Sequence, residues 1–229
     1  MTLQTIEPPE RVYRLGRRPD PWQWPDWTHA GVDGTFGNRF DDPDSEYRVL
    51  YASSQREATF RECLARFRPD PAVQAAVIVD NDDDPLSPTT IAAGQVPRRW
   101  LDDRCMGTGR LEGTYCDVGH ADSLAHLRHA LAPRLLHFRL DDLDAGDIRS
   151  RSPRAFTQEL GRYINAQTSD GRPTFAGIRY ASRHGDELTN WAIFEPNEPI
   201  DRDAKDLTLD DPDLRVVAAS YGLKLTSDA

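Results

Sequence analysis

The alternation of apolar and polar positions divides the chain into short elements. Arg11–Leu15 reads as a strand, and Tyr47–Ala52 alternates with the two-residue period of a half-buried strand. Gln55–Phe67 reads as a helix, because Phe60, Leu64 and Phe67 fall on one face at i, i+4 and i+7. Ser53-Ser54 is its expected N-cap and Pro69 its stop. Ala72–Val79 is apolar and bounded by turn residues, and periodicity leaves it as strand or short helix. Gly113–Val118 reads as a strand. Asp122–Leu131 reads as a helix capped by Asp122 or Ser123, with Leu124, Leu127 and Leu131 inward. Arg134–Leu140 reads as a further strand. Ser152-Pro153 supplies an N-cap and first-turn pair for a helix carrying Phe156, Leu160, Tyr163 and Ile164 on one side. Thr174–Tyr180 and Asn190–Glu195 read as strands flanking the turn Ser182–Gly185. Leu214–Ala219 is a strand or a short helix.

Strands and helices are interspersed without a regular βαβ repeat, so the expected class is α+β, with mixed small sheets and flanking helices. Gly107-Thr108-Gly109 lacks the third glycine and the helix start of a dinucleotide loop, so Rossmann and P-loop readings fail. The stretch Pro19–Asp33, with Trp22, Trp24 and Trp27, reads as a long loop pinned by buried indoles. Asp80-Asn81-Asp82-Asp83-Asp84 reads as a solvated turn, since the ligand spacing of a calcium loop is missing.

At 229 residues with 38% hydrophobic positions, one domain is expected over residues 11–225, preceded by a flexible stretch 1–10. The net charge of −10 argues against direct nucleic-acid binding. No apolar run approaches a bilayer span, and the N-terminus lacks the basic start and apolar core of a signal peptide. A cytoplasmic location without membrane contact is therefore expected. Cys63, Cys105 and Cys116 lack both disulfide and zinc spacing and read as reduced thiols.

Polar residues set beside apolar patterns are the candidate site: Arg39 in Gly37-Asn38-Arg39-Phe40-Asp41, Tyr51 ending a strand, Glu62 on the next helix, Ser182 in Tyr180-Ala181-Ser182-Arg183, and Arg14 on the first strand. Each also has an ordinary explanation. Arg39 can pair with Asp41 or Asp42, and Tyr51 can be a half-buried strand aromatic. Glu62 can pair with Arg66 at i+4, and Ser182 can serve a turn.

Taken in order, Gly37-Asn38-Arg39-Phe40, Leu50-Tyr51-Ala52-Ser53 and Ala58-Thr59-Phe60-Arg61-Glu62 resemble the RES family, named for its Arg, Glu and Ser. The turn Ala181-Ser182-Arg183 before Asn190-Trp191-Ala192-Ile193-Phe194 resembles the family's serine block. The resemblance runs from Arg11 to Glu195. Where many members have Asn, this chain has Asp41. Ser152 is the nearest match to a further family serine, so both Ser152 and Ser182 stand as the functional serine. The segment Pro85–Gly113 is longer than in compact members.

The resemblance implies an ADP-ribosyltransferase-like fold and the toxin half of a toxin–antitoxin pair. It implies an enzyme that breaks the nicotinamide–ribose bond of NAD⁺, with phosphate or water as acceptor. NAD⁺ is then a substrate, phosphate a co-substrate of the phosphorolytic variant, and no prosthetic group or metal is needed. Glu62 suits the developing oxocarbenium charge. Arg39, with Arg14, suits the pyrophosphate. Tyr51 suits stacking, and Ser182 suits a ribose hydroxyl or the nicotinamide amide. The implied partner is an Xre-type helix-turn-helix antitoxin; the sequence leaves a homo-oligomer open. The alternatives are a non-catalytic nucleotide-binding module and an ADP-ribosyltransferase acting on a macromolecule. A metal hydrolase using His120, His126 and His129 lacks the acidic base of H-E-x-x-H.

Overall fold

The computed structural model describes residues 2–69, 94–150 and 153–226. Twelve strands run in chain order: β1 (Thr5–Ile6), β2 (Val12–Arg17), β3 (Val49–Ser53), β4 (Gln95–Val96), β5 (Arg104–Arg110), β6 (Tyr115–Asp117), β7 (Thr168–Ser169), β8 (Arg172–Pro173), β9 (Gly177–Ala181), β10 (Thr189–Phe194), β11 (Ile200–Asp206) and β12 (Lys224–Leu225). Eight of them form one mixed sheet in the order β1-β6-β9-β10-β3-β2-β5-β11. Only β6 and β9 are parallel within it. β12 with β4 and β7 with β8 make two small sheets. The class is α+β as expected, with most strands gathered in a single sheet.

Period-two alternation explains the central strands. On β3, Val49 joins one core and Leu50 and Ala52 the other. On β10, Ala192 and Phe194 face the first core and Trp191 and Ile193 the second. Both faces are covered, so these strands are apolar almost throughout. The first core packs Phe156, Leu160 and Ile164 of the helix Arg154–Asn165 against the sheet. A third core joins Phe60 and Leu64 of the helix Arg56–Leu64 to Leu214 and Val217 of the helix Pro212–Ser220.

Several local expectations change. Arg134–Leu140 is not a strand: the helix Ala132–His137 occupies it, with Pro133 in its first turn and Leu135 buried. Apolar residues at 135, 136, 138 and 140 suit either state, and so short a stretch carries too little period to separate them. Leu214–Ala219 resolves as helix. Ser53 and Ser54 do not cap the helix that follows them. Gln55 stands at its N-cap position, and the two hydroxyls bond instead to Asn190 and Trp191. His120, rather than Asp122 or Ser123, caps the helix Ala121–Ala130.

Of the three tryptophans in this loop only Trp22 is buried, whereas Trp27 is 37% exposed. Trp24 and Trp27 lie against the Arg48 guanidinium instead. A Cβ on Gly107 would come within 2.7 Å of the Trp22 indole nitrogen. Gly107 therefore sits in β5 to admit an indole, and it has no phosphate-loop role. β5 occupies the described end of the long Pro85–Gly113 segment and pairs with β2 from Val12 to Arg17. Within the first ten residues, expected to be flexible, Thr5 and Ile6 pair with β6. Ala72–Val79, Asp80–Asp84 and Ser152 lie outside the described residues.

Candidate active site

Glu62 lies on the helix that leaves β3, and its carboxylate reaches back to the next strands of the sheet. Ser182, just past β9, donates its Oγ to Glu62 Oε1 at 2.7 Å. Asn190, in β10, donates Nδ2 to the same oxygen at 2.7 Å. Asn190 is itself oriented by its register partner Ser53, whose Oγ donates to Asn190 Oδ1 at 2.6 Å. Ser182 Oγ in turn accepts the backbone N–H of His184 at 3.0 Å. The His184 ring places Nε2 3.7 Å from Glu62 Oε2. Buried polar groups of this kind are stable only when mutually bonded, and here they hold one carboxylate in a single orientation. The Glu62 side chain nevertheless keeps one third of its surface exposed. It does not pair with Arg66.

The Arg39 loop is built from the other side. Asp41 Oδ2 accepts the backbone N–H groups of Phe36 at 3.1 Å and Asn38 at 2.7 Å. Tyr51 donates its hydroxyl to Asp41 Oδ1 at 3.1 Å and accepts from Phe40 N at 3.0 Å. Burial pushes the Asp41 carboxyl up from its ordinary pKa, against the bonds from Asn38, Tyr51 and Phe36. Burial and the neighbouring Asp41 raise the Tyr51 phenol well above its usual range. Asp41 is thus occupied with its own loop and does not pair with Arg39.

Arg39 is buried, donates Nη2 to Arg149 O at 3.0 Å, and lies 5.4 Å from the Tyr180 ring centroid. Its Nε and Nη1 have no hydrogen-bond partner among the described residues. Two buried guanidinium donors without an acceptor among the described residues suit an anionic ligand. Arg14 is anchored instead, donating Nε to Pro21 O at 2.7 Å and Nη1 to Tyr51 O at 2.8 Å. Its burial holds the guanidinium below its ordinary pKa.

One cleft of about 350 Å³ joins these groups, with Arg39, Tyr51, Tyr180, Arg154, Glu62 and Asn190 on its walls. Arg14 lines it too. Ser182, itself buried, touches the cleft group Glu62 without lining the cleft. Cys63 also lines it, but burial pushes its thiol up to about 11, so it is no thiolate nucleophile at neutral pH. Asn190 and Ser53 stand in the motifs but were not expected in the site, and His184 and Arg154 were not singled out at all. The signal for Asn190 was its place at the head of an apolar strand, since a buried amide in such a strand must find partners.

The histidines considered for a metal lie elsewhere. His126 Nε2 meets the Tyr163 hydroxyl at 2.9 Å, and His120 serves as a helix cap. Among the described residues no group of three His, Cys, Asp or Glu side chains is placed to hold a metal ion. No helix among them is long and apolar enough to cross a membrane.

The model of the RES domain matches residues 11–216. A search of curated proteins finds no match to this chain.

Proposed function

The chain belongs to the RES domain family, known for NAD-degrading toxins, and on that premise we propose that it cleaves the nicotinamide–ribose bond of NAD⁺. The carrying observation is a partly exposed carboxylate, fixed through one oxygen by Ser182 and Asn190, in the same cleft as the unsatisfied donors of Arg39.

In this reaction the bonding pair of the C1′–N bond leaves with nicotinamide, which departs neutral and needs no general acid. Positive charge develops on the ribose as an oxocarbenium ion. The Glu62 carboxylate is held ready to stabilise that charge without reorganising. Arg39 Nε and Nη1 suit a pyrophosphate oxygen in a fork. Tyr51 is bonded through its hydroxyl to the Arg39 loop, so its role is to set that loop and to offer a ring face to the substrate. Ser182 acts through Glu62 rather than on the ribose. An oxygen of water or phosphate then bonds to C1′; with water a proton is released to solvent.

The physiological setting that follows is a toxin draining NAD⁺, held in check by a partner protein of the Xre helix-turn-helix kind. The direct test incubates purified protein with NAD⁺, with and without phosphate, and follows products by NMR. Nicotinamide with ADP-ribose identifies hydrolysis, and nicotinamide with a phosphorylated ADP-ribose identifies phosphorolysis. Bound NAD⁺ that stays intact would leave a nucleotide-binding module. ADP-ribose attached to a macromolecule would mark a transferase.

A further inference from the structure

Among the described residues, four hydroxyl side chains line the cleft: Tyr51, Ser53, Thr59 and Tyr180. Three of them give their protons to the protein. Tyr51 donates to Asp41 Oδ1 at 3.1 Å, Ser53 to Asn190 Oδ1 at 2.6 Å and Thr59 to Tyr13 O at 3.2 Å. Ser182, behind Glu62, gives its own to that carboxylate. Tyr180 differs. It is only 7% exposed, yet its hydroxyl has no hydrogen-bond partner among the described residues. A nearly buried phenol in that state, on a cleft wall, suits a ligand that brings the acceptor.

The sheet fixes where this phenol stands. Tyr180 lies in β9 directly across from Asn190 of β10. Residues paired across a ladder share one face of the sheet. Tyr180 is therefore on the face from which Asn190 reaches Glu62. Its ring meets Phe40 edge to face, with centroids 5.0 Å apart, and carries the Arg39 guanidinium at 5.4 Å. The ring is thus held from two sides, with Arg39 against it and the partner of Glu62 beside it. Burial raises the phenol above its ordinary pKa, and the Glu62 charge adds to this against the opposing pull of Arg39 and Arg154. The hydroxyl stays protonated at neutral pH, so it is a hydrogen-bond donor and no general base.

We infer that Tyr180 is a substrate-contacting residue whose hydroxyl donates to a hydroxyl of the nicotinamide-side ribose. The inference rests on the proposed reading of NAD⁺ as substrate. In that reading Arg39 meets the pyrophosphate and Glu62 meets the charge that develops at C1′. The nicotinamide-side ribose joins those two parts of the dinucleotide, and its 2′- and 3′-hydroxyls are the free polar groups along that stretch. Tyr180 supplies the ribose contact that Ser182, with its proton on Glu62, does not.

The experiment measures binding by calorimetry in the full chain carrying Glu62→Gln, so that the ligand survives the titration. The ligands are NAD⁺ and two analogues, lacking either the 2′- or the 3′-hydroxyl of the nicotinamide-side ribose. Tyr180→Phe keeps the ring against Phe40 and Arg39 and removes only the hydroxyl, and thermal melting checks the fold. It should weaken NAD⁺ about tenfold. One of the two analogues should show no such loss, because its acceptor is already gone; the cycle isolates that one contact. Tyr51→Phe is the contrast. Its hydroxyl holds the Arg39 loop, so the change should weaken all three ligands alike. An equal loss for all three ligands in Tyr180→Phe, or no loss for any, would overturn the inference. So would a loss that depends on a ribose hydroxyl in Tyr51→Phe alone. Turnover is read separately on protein that keeps Glu62. NAD⁺ that binds but stays whole removes the cleavage reading, and the cycle still decides the ribose contact. NAD⁺ that binds to no form of the protein overturns both.

Discussion

Asn190 donates its side-chain amide to the same Glu62 oxygen that receives the Ser182 hydroxyl, each at 2.7 Å. The end of β9, the strand β10 and a helix therefore meet at one carboxylate oxygen. The other oxygen faces His184 Nε2 at 3.7 Å. This arrangement separates the group that meets charge on the substrate from the groups that aim it.

Glu62→Gln tests the first role. The amide oxygen of glutamine can still accept from Ser182 and Asn190, so the fold is expected to survive. The negative charge is lost, and with it electrostatic stabilisation that typically amounts to on the order of 100- to 1000-fold in rate. NAD⁺ turnover should fall by that much in a protein whose melting is unchanged. Near-normal turnover would remove Glu62 from the chemistry.

Asn190→Asp tests the aiming role. The change puts a second carboxyl against Glu62 Oε1, and two carboxyls in contact cannot both ionise freely. The pair then holds a proton to higher pH. The acidic limb of kcat/KM should move upward in pH, with much of the activity returning at alkaline pH. A merely structural Asn190 would lower activity evenly at every pH.

Part of this site was legible from residues in order and part was not. Glu62 was within reach because Phe60, Leu64 and Phe67 fix the helix face, and that leaves Glu62 turned away from the deepest core. Asn190 needed the register, since only the pairing Asn190↔Ser53 brings its amide beside Glu62. β11 was illegible for another reason. Its sequence, Ile-Asp-Arg-Asp-Ala-Lys-Asp, has no apolar alternation, because it is an edge strand whose side chains are mostly exposed and whose order comes from the ladder to β5. The burial of Arg39 was also hidden, because a glycine-flanked arginine in an acidic loop reads as surface until Asp41 is seen bonding to the loop's own amides.

Arg39→Ala should raise the dissociation constant for NAD⁺ about 10- to 100-fold, the range for losing a charge-assisted fork. Arg39→Lys should rescue little, because one ammonium cannot reproduce the pair Nε and Nη1. Calorimetry on a Glu62→Gln background reads binding without turnover. Unchanged affinity in both variants would make Arg39 a loop strut held by Arg149 O and Tyr180.

The tryptophan loop is tied to the sheet through one ion pair. Arg48 donates Nε to Glu195 Oε2 at 2.8 Å, and its Nη2 bonds Glu195 Oε1. The side chains are 23% and 26% exposed, and the same guanidinium carries Trp24 and Trp27. The Arg48 bond holds the Glu195 carboxyl below its ordinary pKa. Its contribution to stability is full above the unfolded glutamate value of about 4.3. That contribution is lost as pH falls through the depressed folded value. Glu195→Gln should therefore cost on the order of 1 kcal/mol at neutral pH, and the gap to the unaltered protein should close in strong acid. Urea unfolding at both pH values measures it, and a gap independent of pH would assign the loss to packing.

Expression of this chain alone should slow growth as NAD⁺ falls, and co-expression of a neutralising partner should restore both. At −10 the chain is a poor binder of DNA phosphates, so control of its gene would fall to a partner that carries the DNA-binding helices. The same partner has a physical route to inhibition. Arg39 and Arg154 line the cleft beside Glu62; Arg39 retains donors unsatisfied among the described residues, and a carboxylate-ended or acidic tail would satisfy them. Glu62→Gln protein serves as the control, since it keeps the surface for a partner while losing turnover. Growth and NAD⁺ level are followed together after induction of each form. Slowed growth with falling NAD⁺ for the unaltered chain, and neither for Glu62→Gln, is the expected pair of results. Normal growth and steady NAD⁺ with folded, unaltered protein would sink the toxin reading. Slowed growth at steady NAD⁺ would move the target from the dinucleotide to a macromolecule.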